Sequence, residues 1–123
     1  MSILPFDQRD GVIWMNGQIV PWRDAKMHVL SHGLHYGGSV FEGERAYNGV
    51  IFKSREHSER FRTSAELLGF ELPYSVDELM AAKDAVIRAN GVRDVYVRPV
   101  AWRGSEMMAI SAQNAKIHVA IAT

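Results

Sequence analysis

The stretch Phe41–Leu68, FEGERAYNGVIFKSREHSERFRTSAELL, carries two periodicities in succession. Phe41–Tyr47 and Val50–Lys53 read as strands joined by Asn48-Gly49, a pair that tolerates the positive φ angles of a type I′ turn. From Ser54 to Leu68 there is no Gly or Pro, and Phe61, Ala65 and Leu68 recur at helical spacing. Ser54 is placed to cap this helix and Gly69 to end it.

Upstream, Val12–Met15 and Gln18–Val20 flank Asn16-Gly17, a second hairpin with the same turn chemistry. Downstream, a helix is expected from about Val76 to Asn90. Ser75 and Glu78 form a capping-box pattern, Leu79, Ala82 and Val86 make the apolar stripe, and Gly91 terminates it. Asp94–Trp102 and Lys116–Ala122 read as strands, with Pro99 suggesting an edge position or an early break in the first. The order ββ, ββ, α, α, β, β predicts an α+β domain: an antiparallel β-sheet with two α-helices packed on one face. No internal linker divides residues 1–123.

A chain of 123 residues buries roughly two-thirds of its unfolded surface, enough for one real core. Its 47% hydrophobic and 23% charged composition is ordinary globular. Lys plus Arg equals Asp plus Glu at 14 each, so a basic surface for nucleic acid or anionic membrane is not expected. No apolar run approaches the roughly 20 residues of a membrane helix. The N-terminal segment lacks the basic-then-apolar pattern of a secretory leader, which favours a cytoplasmic protein. With no cysteine, disulfides, thiolate metal sites and a cysteine nucleophile are excluded.

His28, His32 and His35 would align three imidazoles for zinc if they lay on one helix. Gly33, Gly37-Gly38 and Val29 make a helix poor there, so hydrogen-bonded loop histidines are expected and a metal is not. Gly33, Gly37 and Gly38 match neither phosphate-loop pattern, and no adjacent lysine could neutralise a triphosphate. Arg60 has the forked guanidinium that suits phosphate or carboxylate. Spacing alone favours instead a solvated helix face with Glu56 and Arg60 paired at i, i+4. Strand alternation puts Tyr96 and Arg98 on one face, where they could bind a carboxylate or form an exposed amphipathic rim.

His35-Tyr36-Gly37, Val40-Phe41-Glu42-Gly43, Phe52, Arg55-Glu56-His57 with Arg60, and Tyr96-Val97-Arg98-Pro99 come in a familiar order. So do Ile13–Gly17 and Asp24–Val29. In sequence and spacing these segments resemble branched-chain amino acid aminotransferases, fold-type IV enzymes that use pyridoxal 5′-phosphate. The resemblance runs from about residue 11 to residue 123 and implies the small N-terminal domain of that fold. Family members carry a larger C-terminal domain that holds the Schiff-base lysine. The resemblance therefore implies that the large domain is absent from this chain, that a truncated chain accounts for its end on a strand, and that it is inactive alone. None of Lys26, Lys53, Lys83 or Lys116 takes the lysine's role, so no catalytic residue is assigned.

By the same resemblance, Arg60 corresponds to the residue that binds the cofactor phosphate. Phe41 corresponds to the apolar substrate pocket, and Tyr96 and Arg98 to the pair that handles substrate carboxylates. Tyr36 and Ile110 correspond to residues lent across a dimer interface, which implies a homodimer or higher homo-oligomer. The implied reaction moves an amino group between leucine, isoleucine or valine and 2-oxoglutarate, with glutamate as donor, in branched-chain amino acid biosynthesis. A D-amino acid aminotransferase or an aminodeoxychorismate lyase of the same fold is the nearest alternative. A non-catalytic module for anion binding or dimerisation is an alternative of another class. The tight Tyr47–Val50 turn and the less glycine-rich Gly104–Ile110 segment depart from several relatives.

Overall fold

Two Asn-Gly turns set the local geometry of the sheet. Asn16 and Gly17 have φ of 51° and 89°, and Asn48 and Gly49 have 52° and 83°, the left-handed pair that a type I′ hairpin requires. The first turn joins β1 (Val12–Met15) to β2 (Gln18–Pro21), and the second joins β4 (Glu44–Tyr47) to β5 (Val50–Ile51). The structure, a computed structural model, describes residues 3–123; Met1 and Ser2, part of the segment read for a leader, lie outside the described residues.

The remaining elements are a short helix α1 (His32–Tyr36), strand β3 (Ser39–Phe41), helices α2 (Ser54–Leu67) and α3 (Val76–Ala89), strands β6 (Val95–Arg103) and β7 (Ile117–Ala122), and single 3-10 turns at Phe6–Gln8 and Trp22–Asp24. The antiparallel sheet runs β2-β1-β7-β6-β4-β5, and β3 also pairs with β6. The α+β arrangement expected from the sequence is the one observed.

The sheet has two unlike faces because strand side chains alternate. Val97 and Ala101 of β6, Val119 and Ile121 of β7, Trp14 and Ala46 turn inward and join Phe61, Ala65, Leu79, Val86 and Ile87 of the helices in the core. Tyr96 and Arg98, the alternate residues of β6, stay exposed on the opposite face. α3 starts as expected: the Ser75 hydroxyl accepts from the Glu78 backbone N–H, and the Glu78 carboxylate accepts from that of Ser75.

Several local expectations are corrected. Phe41 does not run into β4; Glu42 and Gly43 separate β3 from β4, and both strands pair with β6 on one side. Pro99 consequently lies inside a central strand. Its carbonyl accepts from Glu42 N–H at 3.0 Å, so the polar edge of Pro99 faces the gap between β3 and β4. The missing N–H of proline thus falls where the ladder is already interrupted.

Ser54 is the first helical residue of α2, and the cap position is Lys53 in the left-handed region, φ 58°. Leu68 remains exposed; Ser58, Phe61 and Ala65 form the buried side of α2. His32–Tyr36 does form a single helical turn, closed by Gly37 at φ 72°.

One buried ion pair has no signature in the local sequence. Lys83, on the inward side of α3, reaches Glu44 Oε1 at 2.7 Å and donates to Ser58 Oγ at 2.7 Å. Both charged side chains are fully buried. Burial pushes Glu44 up and Lys83 down, and their mutual hydrogen bond opposes both shifts.

Candidate functional site

The open face of β6 carries the first group of candidate residues. Arg98 donates through Nε and Nη2 to the Tyr96 hydroxyl at 3.1 and 2.8 Å. The same guanidinium lies 4.6 Å from the centre of the Phe41 ring. β3 is paired with β6 so that Phe41 stands opposite Val100, which brings Phe41 beside Arg98. Phe41, Tyr96 and Arg98 therefore converge.

The glycine after Glu42 makes room for this group. A β-carbon at Gly43 would come 2.7 Å from the Tyr96 hydroxyl oxygen. Tyr96 and Arg98 also line a cavity of about 550 Å³ with Ile13, Trp22, Lys26 and Ala122. Arginine holds five N–H donors, so Arg98 keeps three after serving Tyr96, enough to grip a carboxylate.

The second group surrounds Glu42. Its carboxylate is buried and accepts Arg60 Nε at 2.9 Å, Arg60 Nη2 at 2.8 Å and His57 Nδ1 at 2.7 Å. Burial raises the pKa of Glu42, but the hydrogen bonds and charges of Arg60 and His57 outweigh it and hold the carboxyl below its ordinary value. The same partnership raises Arg60.

The pairing of Arg60 with Glu56 is overturned: Arg60 pairs with Glu42, and Glu56 lies 4.0 Å from Lys53. Arg60 opens onto a cleft of about 250 Å³ with Phe52, Lys53, Glu56 and His57. Its remaining N–H donors, in a cleft that Lys53 also lines, suit a phosphate ester.

Tyr36 and Ile110 form a third group. The buried His32 ring lies 4.6 Å from the Tyr36 ring, and His32 Nε2 donates to the Ile110 carbonyl at 2.9 Å. A carbonyl only accepts, so the proton is assigned to Nε2, and Nδ1 is buried with no hydrogen-bond partner among the described residues. The Tyr36 and Ile110 side chains themselves are exposed.

His28 and His35 bond to backbone as well: His28 Nδ1 accepts from Leu30 N–H, and His35 Nε2 donates to the Val29 carbonyl. Among the described residues no three His, Asp or Glu side chains gather as a metal site, and no helix is long and apolar enough to cross a membrane.

The sequence assigns no role to Glu42 and, although hydrogen-bonded histidines are expected, no partner to His32. Glu42 lies within one of the family-like motifs, but its partners are His57 and Arg60, on a helix reached only after the second hairpin. His32 reads in the sequence as one of three histidines, and only the path of the 104–116 connection shows what it holds.

The fold and these groups define an α+β unit that presents an aromatic–arginine pair on an open sheet face, with a second anchored arginine at the edge. Residues 39–123 match the family described as amino-transferase class IV, and the chain belongs to that family.

A curated relative from Rickettsia felis, "Probable branched-chain-amino-acid aminotransferase", is 48% identical over 122 residues, which cover 99% of this chain and 42% of the relative. The solved structure of the branched-chain amino acid aminotransferase from Escherichia coli superposes with a TM-score of 0.87 at 43% identity, covering 93% of this chain and 40% of that one. The branched-chain aminotransferase of the archaeon Thermoproteus uzoniensis, solved with norvaline, gives 0.86 at 38% identity, covering 93% and 40%. The chain thus spans about two-fifths of the length of the relatives it matches.

Proposed function

We propose that this chain is the small N-terminal domain of a pyridoxal 5′-phosphate-dependent branched-chain transaminase. The whole enzyme exchanges an amino group between leucine, isoleucine or valine and 2-oxoglutarate. The observation that carries this reading is the convergence of Phe41, Tyr96 and Arg98 on one open face. The relatives named above add to it.

Pyridoxal 5′-phosphate, when bound, supplies the electron sink for breaking bonds at the amino-acid α-carbon. The described residues fit its phosphate: Arg60 is held from one side by Glu42 and keeps free donors toward a small cleft that Lys53 shares. Arg98 and the Tyr96 hydroxyl receive a substrate carboxylate, which accounts for a dicarboxylate amino donor such as glutamate. Phe41 offers an apolar surface for an aliphatic side chain, at about 0.8 kcal/mol per buried methylene. One face thus serves both substrates in turn, the guanidinium for the acid and the ring for the alkyl group.

The exposed Tyr36 ring and Ile110 side chain complete the pocket of a second copy in a homodimer. The lysine that bonds the cofactor comes from the large domain of the whole enzyme. Substrate profiling of the full-length protein tests the reading. Activity on L-leucine with 2-oxoglutarate is expected; preference for D-alanine would move the chain to the D-amino acid branch of the same fold.

A further inference from the structure

We propose that Glu42 is a positioning residue: it mounts the Arg60 guanidinium on the sheet and aims its free donors at the phosphate of the cofactor. The inference rests on Arg60 being the phosphate-binding residue.

Arg60 is an exposed arginine on α2, with 67% of its side chain in solvent. Left to itself such a side chain samples many rotamers, and each bound anion must first order it. Glu42 removes that freedom. Its two carboxylate oxygens take Nε and Nη2 in parallel, the geometry that fixes both the place and the plane of a guanidinium. His57 Nδ1, bonded to Oε1, holds the carboxylate from the same helix.

The anchor belongs to the sheet and not to the helix that carries the arginine. Glu42 lies in the break between β3 and β4, and its N–H donates to the Pro99 carbonyl of β6. Two of the five arginine N–H donors are spent on Glu42, so three remain, on the edge away from it.

Phe41 and Glu42 are consecutive. One contacts Arg98 on the open side and the other holds Arg60 on the helix side. The consecutive residues Phe41 and Glu42 of the strand break thus contact the two candidate anion-binding arginines, one on each side of the sheet.

Charge and position predict opposite signs. Glu42 is an anion beside a site for an anion, so simple Coulomb attraction predicts that neutralising it tightens phosphate binding. Positioning predicts that it weakens, because the glutamine amide offers one acceptor oxygen and cannot bind the fork through two.

The test titrates the full-length apoenzyme with pyridoxal 5′-phosphate, pyridoxal and inorganic phosphate, following absorbance for the first two and protection against thermal unfolding for the third. Wild type, Glu42→Gln, Glu42→Asp and Arg60→Ala are compared. Glu42→Gln is expected to weaken pyridoxal phosphate and phosphate about tenfold, the order of one charge-assisted hydrogen bond, and to leave pyridoxal within about twofold. A merely structural role would weaken pyridoxal equally.

Glu42→Asp keeps the charge but draws the carboxylate back by one methylene from the Arg60 fork while leaving every Arg60 donor in place, so it reads the same effect if Glu42→Gln does not fold. It is expected to bind phosphate about tenfold more weakly. If Arg60→Ala weakens phosphate while Glu42→Gln, or Glu42→Asp in its place, leaves it unchanged or tighter, the positioning role is overturned and the function proposed above stands. If Arg60→Ala itself leaves phosphate affinity unchanged, Arg60 is not the phosphate residue and the positioning role falls with that assignment, while the reading carried by Phe41, Tyr96 and Arg98 is left standing.

Discussion

Lys83 and Glu44 meet at 2.7 Å with neither side chain reaching solvent, and Ser58 closes the pair from α2. Three elements that the chain visits far apart, β4, α2 and α3, are thus pinned at one buried point. Ion pairs of this kind contribute little net stability, because desolvation opposes attraction, but they are costly to break singly.

Lys83→Met alone is expected to destabilise the fold by about 3–5 kcal/mol, since Glu44 is left buried without its cation. Adding Glu44→Leu is expected to recover most of the loss. Urea unfolding of the two single variants and the double variant checks this; a double variant no more stable than Lys83→Met would show that the pair is not coupled.

Glu106 holds the connection between β6 and β7 by accepting from His118 Nε2 at 2.7 Å and from the Lys116 backbone N–H at 2.8 Å. Burial raises its pKa, yet the hydrogen bonds from His118 and Lys116 outweigh burial and lower it overall. A carboxyl with a depressed folded value stabilises above its unfolded value of about 4.3. That contribution is lost as pH falls through the lower folded value. The melting-temperature gap between wild type and Glu106→Gln is therefore expected to be full near pH 6 and to close in acid. A gap constant down to the lowest accessible pH would contradict the assignment.

Gly43→Ala places a methyl group where the Tyr96 hydroxyl now lies. Tyr96 is expected to swing away from Arg98, raising KM for 2-oxoglutarate in the full-length enzyme with a smaller change in kcat. A structure of the variant with Tyr96 unmoved, or an unchanged KM, would show that Gly43 does not shape the site.

On the proposed role of Arg98, Arg98→Ala in the full-length protein removes a charge-assisted hydrogen bond to the second carboxylate worth about 1.5–3 kcal/mol, so kcat/KM for glutamate is expected to fall by roughly 10- to 150-fold. Leucine with its single carboxylate is expected to lose less. Equal losses for both substrates would mean that Arg98 does not read the second carboxylate.

The 123-residue chain alone is expected to show no transaminase turnover with pyridoxal 5′-phosphate supplied. Of its four lysines, Lys83 is sealed against Glu44, and the family resemblance assigns the Schiff-base role to none of Lys26, Lys53 or Lys116. Turnover by the purified chain would overturn this.

Much of the architecture is legible in the sequence. The Asn-Gly turns, the capping box at Ser75 and Glu78 and the stripe Leu79, Ala82, Val86 are each written within a few residues, and local conformational preference settles them. The site is legible in part. Alternation places Tyr96 and Arg98 together, and family resemblance points to Phe41 and Arg60; their contacts are not readable. The strand break at Glu42–Gly43 escapes notice because Phe41–Tyr47 reads as one continuous strand until the pairing with β6 is known.

By itself the sequence determined the hairpins, the two long helices, the strand alternation and the family. All of these depend on neighbours within a turn or on motif order. Only the tertiary structure decided which polar group meets which: Glu42 with Arg60 across 18 residues, Glu44 with Lys83 across 39 and His32 with the Ile110 carbonyl across 78. The physical reason is one of range. Local spacing favoured Glu56 for Arg60, but a buried carboxylate mounted on the sheet has lost its water and makes a stronger partner than a solvated one a helical turn away.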